Sequence, residues 1–181
     1  IQQDPEREIT FDRINGESAL LAAEACETAG VDPFVFLSVR DKPPFLSGRF
    51  IAAKRRAERE IPEQHPSLRF VPLQPNLVYG AGRPGSSTIA AVLETLEGSV
   101  GAYSQPEGRP LPVELVAAAA VHAATTPTVE GVLSVNHIAD VGRTSGLVDL
   151  DEVTEPSLLP LALGTAGLVA GGWMLRRMWR S

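Results

Sequence analysis

The sequence predicts an α/β fold in which helices cover a parallel sheet. Short apolar runs typical of buried strands alternate along the chain with segments of helical periodicity, and crossover connections of this kind require parallel strands. The 181-residue chain is 44% hydrophobic, so it can bury a core, and its length favours one domain with an appended element. The same composition excludes a disordered chain.

Seven elements are predicted in chain order. They are a helix over residues 15–29, a strand over 34–39, a helix over 47–61, a strand over 68–73, a helix over 89–96, a helix over 113–124 and a short strand over 131–135. The first helix is rich in strong helix formers and is followed by Gly30. The first strand is a continuous apolar run after Pro33, as expected for a strand buried on both faces of a parallel sheet.

The second helix has a heavily charged outer face and is expected to end before Pro62, because proline lacks an amide proton and clashes with the preceding turn. The second strand follows after a short connection. Beyond Tyr79 the chain is richer in Gly, Pro and Ser, and the third helix lies between two turn-rich segments. The alanine-rich fourth helix then leads to the last short strand. No internal repeat is evident.

Composition argues against several classes of function. The net charge of −6 and the pI near 5.1 oppose nucleic-acid binding, which depends on Lys and Arg neutralising phosphates. Cys26 is the only cysteine, which excludes an intrachain disulfide and a cysteine-based metal site. It is interpreted as a packing residue of the first helix.

The histidines do not form a predicted metal site. His65, His122 and His137 are expected in a proline-flanked loop, an alanine-rich helix and a strand end, without Asp or Glu at zinc-ligand spacing. The sequence also lacks the G-x-S-x-G pattern of a hydrolase nucleophile elbow. No metal ligand and no Ser–His–Asp hydrolase are therefore predicted.

The two ends of the chain differ in character. It begins at Ile1 in a charged stretch with no signal or transit peptide, so we expect the natural start to be missing or processed. Residues 158–175 carry no charge and would reach about 27 Å as a helix, near the roughly 30 Å of a hydrocarbon core. Gly167 and Gly171 form a G-x-x-x-G face and arginines follow, which favours membrane association. The alternative is a helix that packs on the protein or on a partner.

Residues 80–85 match the dinucleotide-binding pattern G-x-G-x-x-G between a strand and a helix. A proline precedes the third glycine, and no acidic residue ends a clear second strand about 20 residues further on. We interpret the segment as a plain loop, because an isolated glycine pattern has many unrelated causes.

A more specific signal is spread over residues 8–140. Its landmarks are Asp12-Arg-Ile-Asn15-Gly16, Phe34-Val-Phe-Leu-Ser38, Phe50-Ile-Ala-Ala-Lys54-Arg-Arg-Ala-Glu58, Gln74-Pro75-Asn-Leu-Val-Tyr79-Gly80, Pro112-Val-Glu-Leu-Val-Ala and Glu130-Gly-Val-Leu. In order and spacing they resemble extended and atypical short-chain dehydrogenases/reductases (SDRs), most closely fungal mitochondrial proteins linked to ubiquinone biosynthesis. Plant organellar relatives and the nucleotide-binding accessory subunit of respiratory complex I are more distant likenesses.

The resemblance implies a division of the chain. Residues 1–80 would be the C-terminal half of an NAD(P)-binding Rossmann-like domain, 81–148 a smaller region like a substrate lobe, and 149–181 a tail with the candidate membrane segment 158–175. The first half of the Rossmann domain, with its phosphate loop, is expected to precede Ile1. The implied cofactor is NAD or NADP, bound in the full-length protein.

The resemblance also assigns the catalytic positions. Catalytic SDRs have a Tyr four residues before a Lys, so that one helical turn brings the phenol and the ammonium to the same face. The ammonium lowers the phenol pKa and holds the nicotinamide ribose. Here the two positions are Phe50 and Lys54, and phenylalanine has no proton to give. Lys54 is either a retained ribose contact or an exposed lysine on a charged helix face.

Other family positions also depart from the pattern. The usual catalytic serine aligns with Val39, which leaves Ser38 as a substitute and as a candidate cofactor contact. Tyr79 would line the cleft for cofactor and substrate, and Gln74 replaces a customary Arg. Asn15 aligns loosely with a helix asparagine that supports a proton-relay water in some SDRs, but we interpret it as the N-cap of the first helix, which needs no such role.

These departures favour a binding protein over an enzyme. The expected function is a catalytically degenerate, NAD(P)-binding accessory or scaffold protein that supports a mitochondrial coenzyme Q biosynthesis assembly, on the matrix side of the inner membrane. Proteins of that assembly would be its partners. One alternative is an active NAD(P)-dependent reductase or epimerase acting on a quinone precursor or other small substrate. Another is a truncated fragment without function, since a half-sheet exposes a strand edge.

Overall fold

The computed structural model describes residues 10–40, 47–80 and 108–149, together with Asp151 and Val153. Its helices and strands are α1 (Ser18–Ala29), β1 (Phe34–Leu37), α2 (Gly48–Gln64), β2 (Phe70–Leu73), β3 (Val78–Tyr79), β4 (Leu111–Pro112), α3 (Val113–Thr125) and α4 (Val135–Thr144). A π-helical turn, Arg13–Glu17, leads into α1. The predicted α/β class is confirmed.

The described strands pair in parallel. β1 pairs with β2 in a register that places Phe34 beside Phe70 and Leu37 beside Leu73. Leu133 adds an isolated parallel bridge on the other side of β2, opposite Leu73. β3 and β4 form a separate two-stranded parallel sheet. Each parallel pair is joined by a long connection, as parallel pairing requires.

Two buried clusters lie on opposite faces of the β1–β2 sheet. One joins β2 to α3 and α4 and consists of Val71, Leu73, Leu111, Val116, Ala119, Ala123, Leu133, Val135, Ile138 and Ala139. The other joins β1 to α1 and α2 and consists of Ala19, Ala23, Phe36, Ala57, Ile61 and Leu68. Because side chains alternate along a strand, Phe36 and Val71 face opposite layers. The result is a sheet between two helical layers.

The first predicted helix exists, but it begins earlier than residue 15. Phe11 is already helical, and Asn15 lies inside the π-helical turn, where its side-chain Nδ2 donates to the carbonyl of Phe11 at 3.1 Å. The prediction that Asn15 caps the helix is therefore wrong. Its end is confirmed: Gly30 has φ 66°, and the Gly30 and Val31 amides donate to carbonyls of the last turn, as in a Schellman motif.

Helix α2 begins one residue after the predicted start, at Gly48, and ends three residues after the predicted end, at Gln64. The Ser47 side chain accepts a hydrogen bond from the Arg49 amide at the N-terminus. Pro62 lies inside the helix rather than after it, so the prediction that it stops the helix is wrong. In the last turn a proline removes only one backbone hydrogen bond. Ile61 is fully buried beside it, and the His65 amide still donates to the Ile61 carbonyl at 2.8 Å.

The strand predicted over residues 131–135 is also wrong. Only Leu133 pairs with the sheet, and Val135 is the first residue of α4. His137 consequently lies in a helix and not at a strand end. The buried positions of α4 are Val135, Ile138, Ala139 and Gly142. Their spacing is helical, so the core selects a helix over a longer strand.

Other predictions concern residues outside the described ranges. They include the helix over 89–96, all but the first residue of the glycine pattern at 80–85, and the candidate membrane segment 158–175. In the ranges that the structure does describe, no helix combines the length and apolarity needed to cross a membrane.

Candidate functional site

The Lys54 side chain reaches the carboxyl end of β1. Its Nζ donates to the Leu37 carbonyl at 2.7 Å, and it lies 4.7 Å from the centroid of the Phe36 ring and 5.4 Å from that of the Phe50 ring. Both distances fall in the range of cation–π attraction. Lys54 is thus partly buried and hydrogen-bonded to the end of the strand.

Helix α2 sets this geometry. Its residues Ala53, Ala57 and Ile61 are buried against the sheet. Lys54 follows Ala53 and lies at the margin of this buried face, where its side chain reaches β1. Phe50 precedes Lys54 by one turn and therefore lies on the same side. The Phe50 ring packs edge to face on the Phe11 ring, with centroids 5.9 Å apart. Phe50 thus contacts both Phe11 and the Lys54 ammonium.

Ser38 directly follows Leu37, whose carbonyl accepts the hydrogen bond from Lys54. Its amide donates to the Leu73 carbonyl at 2.7 Å, which continues the parallel ladder by one residue, so its side chain points to the same layer as that of Phe36. The residue is 5% exposed, and its hydroxyl Oγ is buried without a hydrogen-bond partner in the described part of the chain. A buried polar atom without a partner is unusual and marks a position where a ligand or water could bind.

Burial and one carboxylate act in opposite directions on Lys54. Burial lowers the pKa of its ammonium, because the charged form loses hydration, and the nearby Glu58 carboxylate raises it. The Leu37 carbonyl and the two aromatic rings also favour the charged form. An ammonium has three N–H donors, and one is used by Leu37. The other two N–H donors have no partner among the residues that the structure describes, so they can donate to a ligand.

The remaining predicted site residues lie elsewhere. Tyr79 is 4% exposed in β3, where it pairs with Pro112, and Val39 is buried at 4% exposure. Gly80 has φ 142°, and a Cβ there would lie 2.6 Å from Val113 Cγ1. The positive φ and this close approach together favour glycine at this position. The structure therefore brings Ser38 and Lys54 to one strand end and places Tyr79 in a different sheet.

Three groups around the Lys54 ammonium were not predicted from the sequence. The Leu37 carbonyl and the Phe36 ring could not be recognised without knowing how α2 packs on β1. Glu58 could have been found, because it follows Lys54 by four residues and a Lys–Glu pair at this spacing lies on one helix face. Gln74, noted only as a replacement, donates to both Glu58 oxygens, at 3.0 and 2.9 Å.

The chemistry available at this strand end is binding by hydrogen bonds and positive charge. An ammonium at a strand end suits a ligand with hydroxyl or other acceptor groups, and open α/β sheets bind ligands outside the carboxyl ends of their strands. Phe50 supplies an aromatic face but no proton. Within the described ranges, no group of three or more His, Cys, Asp or Glu side chains could hold a metal ion.

The chain was compared with known proteins. No protein-family model matches it. A stretch of 71 residues is 41% identical to an uncharacterised chloroplastic protein of Arabidopsis thaliana, and covers 38% of this chain and 24% of that protein. The chain thus spans about a quarter of that relative's length.

Two solved structures are similar to the chain to a limited extent. One is UDP-glucose 4-epimerase of Thermus thermophilus in complex with NAD, with a TM-score of 0.47, 19% identity, and coverage of 90% of this chain and 66% of the enzyme. The other is the enzyme WbmF of Bordetella bronchiseptica in complex with NAD+, with a TM-score of 0.41, 19% identity, and coverage of 78% and 53%. Similarity of this extent assigns no activity. None of the three proteins is described as ubiquinone-associated, so that narrower resemblance stays a prediction.

Proposed function

We propose that this chain is the later part of an NAD(P)-binding protein of SDR type that binds its cofactor without performing the family's proton transfer. It serves as an accessory or scaffold protein, and the assembly it supports is that of mitochondrial coenzyme Q biosynthesis, on the matrix side of the inner membrane. The assembly and its location rest on the sequence resemblance alone. The cofactor site rests on the resemblance and on the geometry of Lys54.

The observation that carries the proposal is the position of the Lys54 ammonium. It is held at the carboxyl end of β1 by the Leu37 carbonyl and two aromatic rings, and two of its three donors have no partner among the described residues. A ribose offers two neighbouring hydroxyl oxygens as acceptors. The Ser38 hydroxyl, buried and without a partner in the described ranges, lies on the same face and supplies a further polar contact.

Phe50 is the reason for proposing binding without catalysis. General acid catalysis needs a group within hydrogen-bond reach that can release a proton. The Phe50 ring lies over Lys54, packs edge to face on Phe11 and has no such proton. The side chain therefore supports the shape of the site and the charge of the lysine.

A second candidate function, an NAD(P)-dependent reductase or epimerase, is favoured by Ser38. Its buried hydroxyl has no hydrogen-bond partner among the described residues, so a substrate carbonyl that reached it would satisfy this polar atom. In such an enzyme the serine or an atypical group would replace the tyrosine. The substrate would be a quinone precursor or another small carbonyl compound.

Cofactor affinity tests the binding proposal. We expect the full-length protein containing this chain to bind NADH or NADPH, measured by the change in nicotinamide fluorescence. Lys54→Met should weaken binding about tenfold or more, since a hydrogen bond to a charged group contributes about 1.5–3 kcal/mol. Arg59→Met is the matched control, because Arg59 lies on the same helix with a 62% exposed side chain. Equal affinity of wild type and both variants would contradict the role of Lys54.

Turnover separates the two candidate functions. The full-length protein is given NADPH and candidate quinone intermediates, and the loss of absorbance of the reduced cofactor is followed. The scaffold proposal predicts no oxidation above that of a Lys54→Ala variant. Steady oxidation well above that variant, lost in Ser38→Ala, would establish the reductase instead.

A further inference from the structure

A second groove lies between helix α1 and the C-terminal end of α2. Its volume is about 550 Å³, and the residues that line it are Glu17, Leu20, Leu21, Glu24, Gln64 and His65. The first four recur at i, i+3, i+4 and i+7, so they share one face of the helix. Lys54 does not line this groove, which is therefore separate from the candidate cofactor site.

His65 is the buried side chain of the groove. The residue directly follows α2 and is 8% exposed. Its Nδ1 lies 2.6 Å from Glu27 Oε2, and Ser67 Oγ donates to the other oxygen of the same carboxylate. An ionised carboxylate only accepts hydrogen bonds, so Nδ1 carries the proton of this pair. Glu27 therefore fixes the orientation of the imidazole ring.

The other ring nitrogen is left for the groove. His65 Nε2 has no hydrogen-bond partner among the residues that the structure describes. In a neutral imidazole whose Nδ1 carries the proton, Nε2 is an acceptor. A mostly buried ring that lines an open groove with an unused acceptor indicates a ligand or a water that donates to it.

The groove is also electronegative. Glu24 is exposed and makes no ion pair within the described ranges. Glu17 is half-exposed and lies 4.0 Å from Arg13 Nε, a contact that contributes little. The carbonyl groups at the C-terminal end of α2 add partial negative charge. Lys and Arg are absent from the residues that line the groove, so it attracts cations and repels anions.

Two leucines give the groove an apolar wall. Leu20 is partly buried, and Leu21 is 65% exposed. We propose that the groove is a binding site for an organic cation, a primary ammonium on a short apolar chain. The ammonium has three N–H donors; it donates to His65 Nε2 and to the Glu24 carboxylate, while the chain lies on the leucines. A metal ion fits less well, because within the described ranges no three His, Cys, Asp or Glu side chains could hold one.

The same chemistry is offered by a free amine and by a lysine side chain of a partner protein. Two probes distinguish these sources: n-butylammonium, and Nα-acetyl-lysine N-methylamide, which presents the lysine side chain without a free α-amino group. n-Butanol is the uncharged control. Each compound is titrated into the full-length protein containing this chain, with isotope-labelled histidine, and the ring signals are followed by NMR. The signal that is lost in His65→Gln belongs to His65.

At least one of the two amines should shift the His65 signal saturably, whereas the signals of His122 and His137 should not move. The amine that binds more tightly identifies the source. Glu24→Gln should weaken binding about threefold, as expected for an exposed charge contact. Glu63→Gln is the matched control, because it removes the same charge from an exposed position of α2 that does not line the groove. Its affinity should equal that of wild type.

Three results would overturn the proposal: no saturable shift of the His65 signal with either amine, an equal response to n-butanol, or equal weakening in Glu24→Gln and Glu63→Gln. None of them depends on cofactor binding, because Lys54 lies outside the groove. Circular dichroism verifies the fold of each variant. If His65→Gln does not fold, the affinities of Glu24→Gln and Glu63→Gln, measured by calorimetry, decide the result.

Discussion

Replacing Arg69 with alanine should lower the free energy of unfolding by about 3 kcal/mol. Arg69 precedes β2, and its Nη1 donates to the carbonyls of Ala123, Thr126 and Val129 at 3.0, 3.2 and 2.6 Å. These acceptors lie at the C-terminal end of α3 and just beyond it, where helix carbonyls lack partners and the helix dipole favours a cation. One guanidinium thus ties the first residues of the β2 segment to the end of α3.

The magnitude follows from the geometry. Nη1 carries two protons for three acceptors, so the contacts amount to about two hydrogen bonds to a charged group, each contributing about 1.5–3 kcal/mol. Water would reach part of the freed carbonyl surface after truncation, and this reduces the loss to about 3 kcal/mol. The contact with Asp32, at 3.5 Å on a half-exposed carboxylate, contributes little.

Urea unfolding followed by circular dichroism measures this loss. Arg69→Lys should fall between wild type and Arg69→Ala, because an ammonium keeps the charge but cannot reach all three carbonyls. Arg59→Ala is the control, since its exposed guanidinium lies 3.8 Å from Glu60 and its removal should cost less than about 0.5 kcal/mol. If Arg69→Ala costs no more than Arg59→Ala, the contacts to α3 do not stabilise the fold as argued.

Two further predictions concern helix packing and pH. Gly142→Ala should destabilise the chain by about 2 kcal/mol in urea unfolding, because the added Cβ would lie 2.6 Å from the Leu115 carbonyl oxygen; an unchanged midpoint would contradict the close approach of α3 and α4. A hydrogen bond from Ser67 and, to a smaller extent, one with His65 lower the pKa of the Glu27 carboxyl. The stability that Glu27 contributes is therefore fully present above its ordinary pKa of 4.5. It is lost as the pH falls through the lowered pKa. Thermal unfolding should therefore show Glu27→Gln less stable than wild type at neutral pH and equal to it in strong acid; a difference that persists in acid would contradict this assignment.

The parallel pairing of β1 and β2 could be predicted from the sequence. Two short apolar runs flank a helical segment, and a crossover of that length permits only a parallel pair. Helix α4 was missed because Leu133 pairs with the sheet and Val135 opens a helix. A single residue separates Leu133 from Val135, so no loop in the sequence marks where strand pairing ends and the helix begins. The spacing of Val135, Ile138 and Ala139 is nevertheless helical.

The candidate site was predictable in part. The spacing of Phe50 and Lys54 on one helix face follows from helix geometry alone. The Leu37 carbonyl that fixes Lys54 lies 17 residues before it, and no local pattern links a backbone acceptor to a side chain at that distance. The same is true of Gln74 and Glu58, whose contact depends on how α2 packs on the sheet.

The proposed function requires that Lys54 contacts a nicotinamide cofactor in a protein that does not turn it over. The most direct measurement is the acetylation of Lys54 in the full-length protein with and without saturating NAD or NADP, with Lys42 as the internal reference. The bound cofactor should protect Lys54 selectively and leave the labelling of Lys42 unchanged, while no reduced cofactor is consumed. Equal labelling of Lys54 with and without bound cofactor would contradict it.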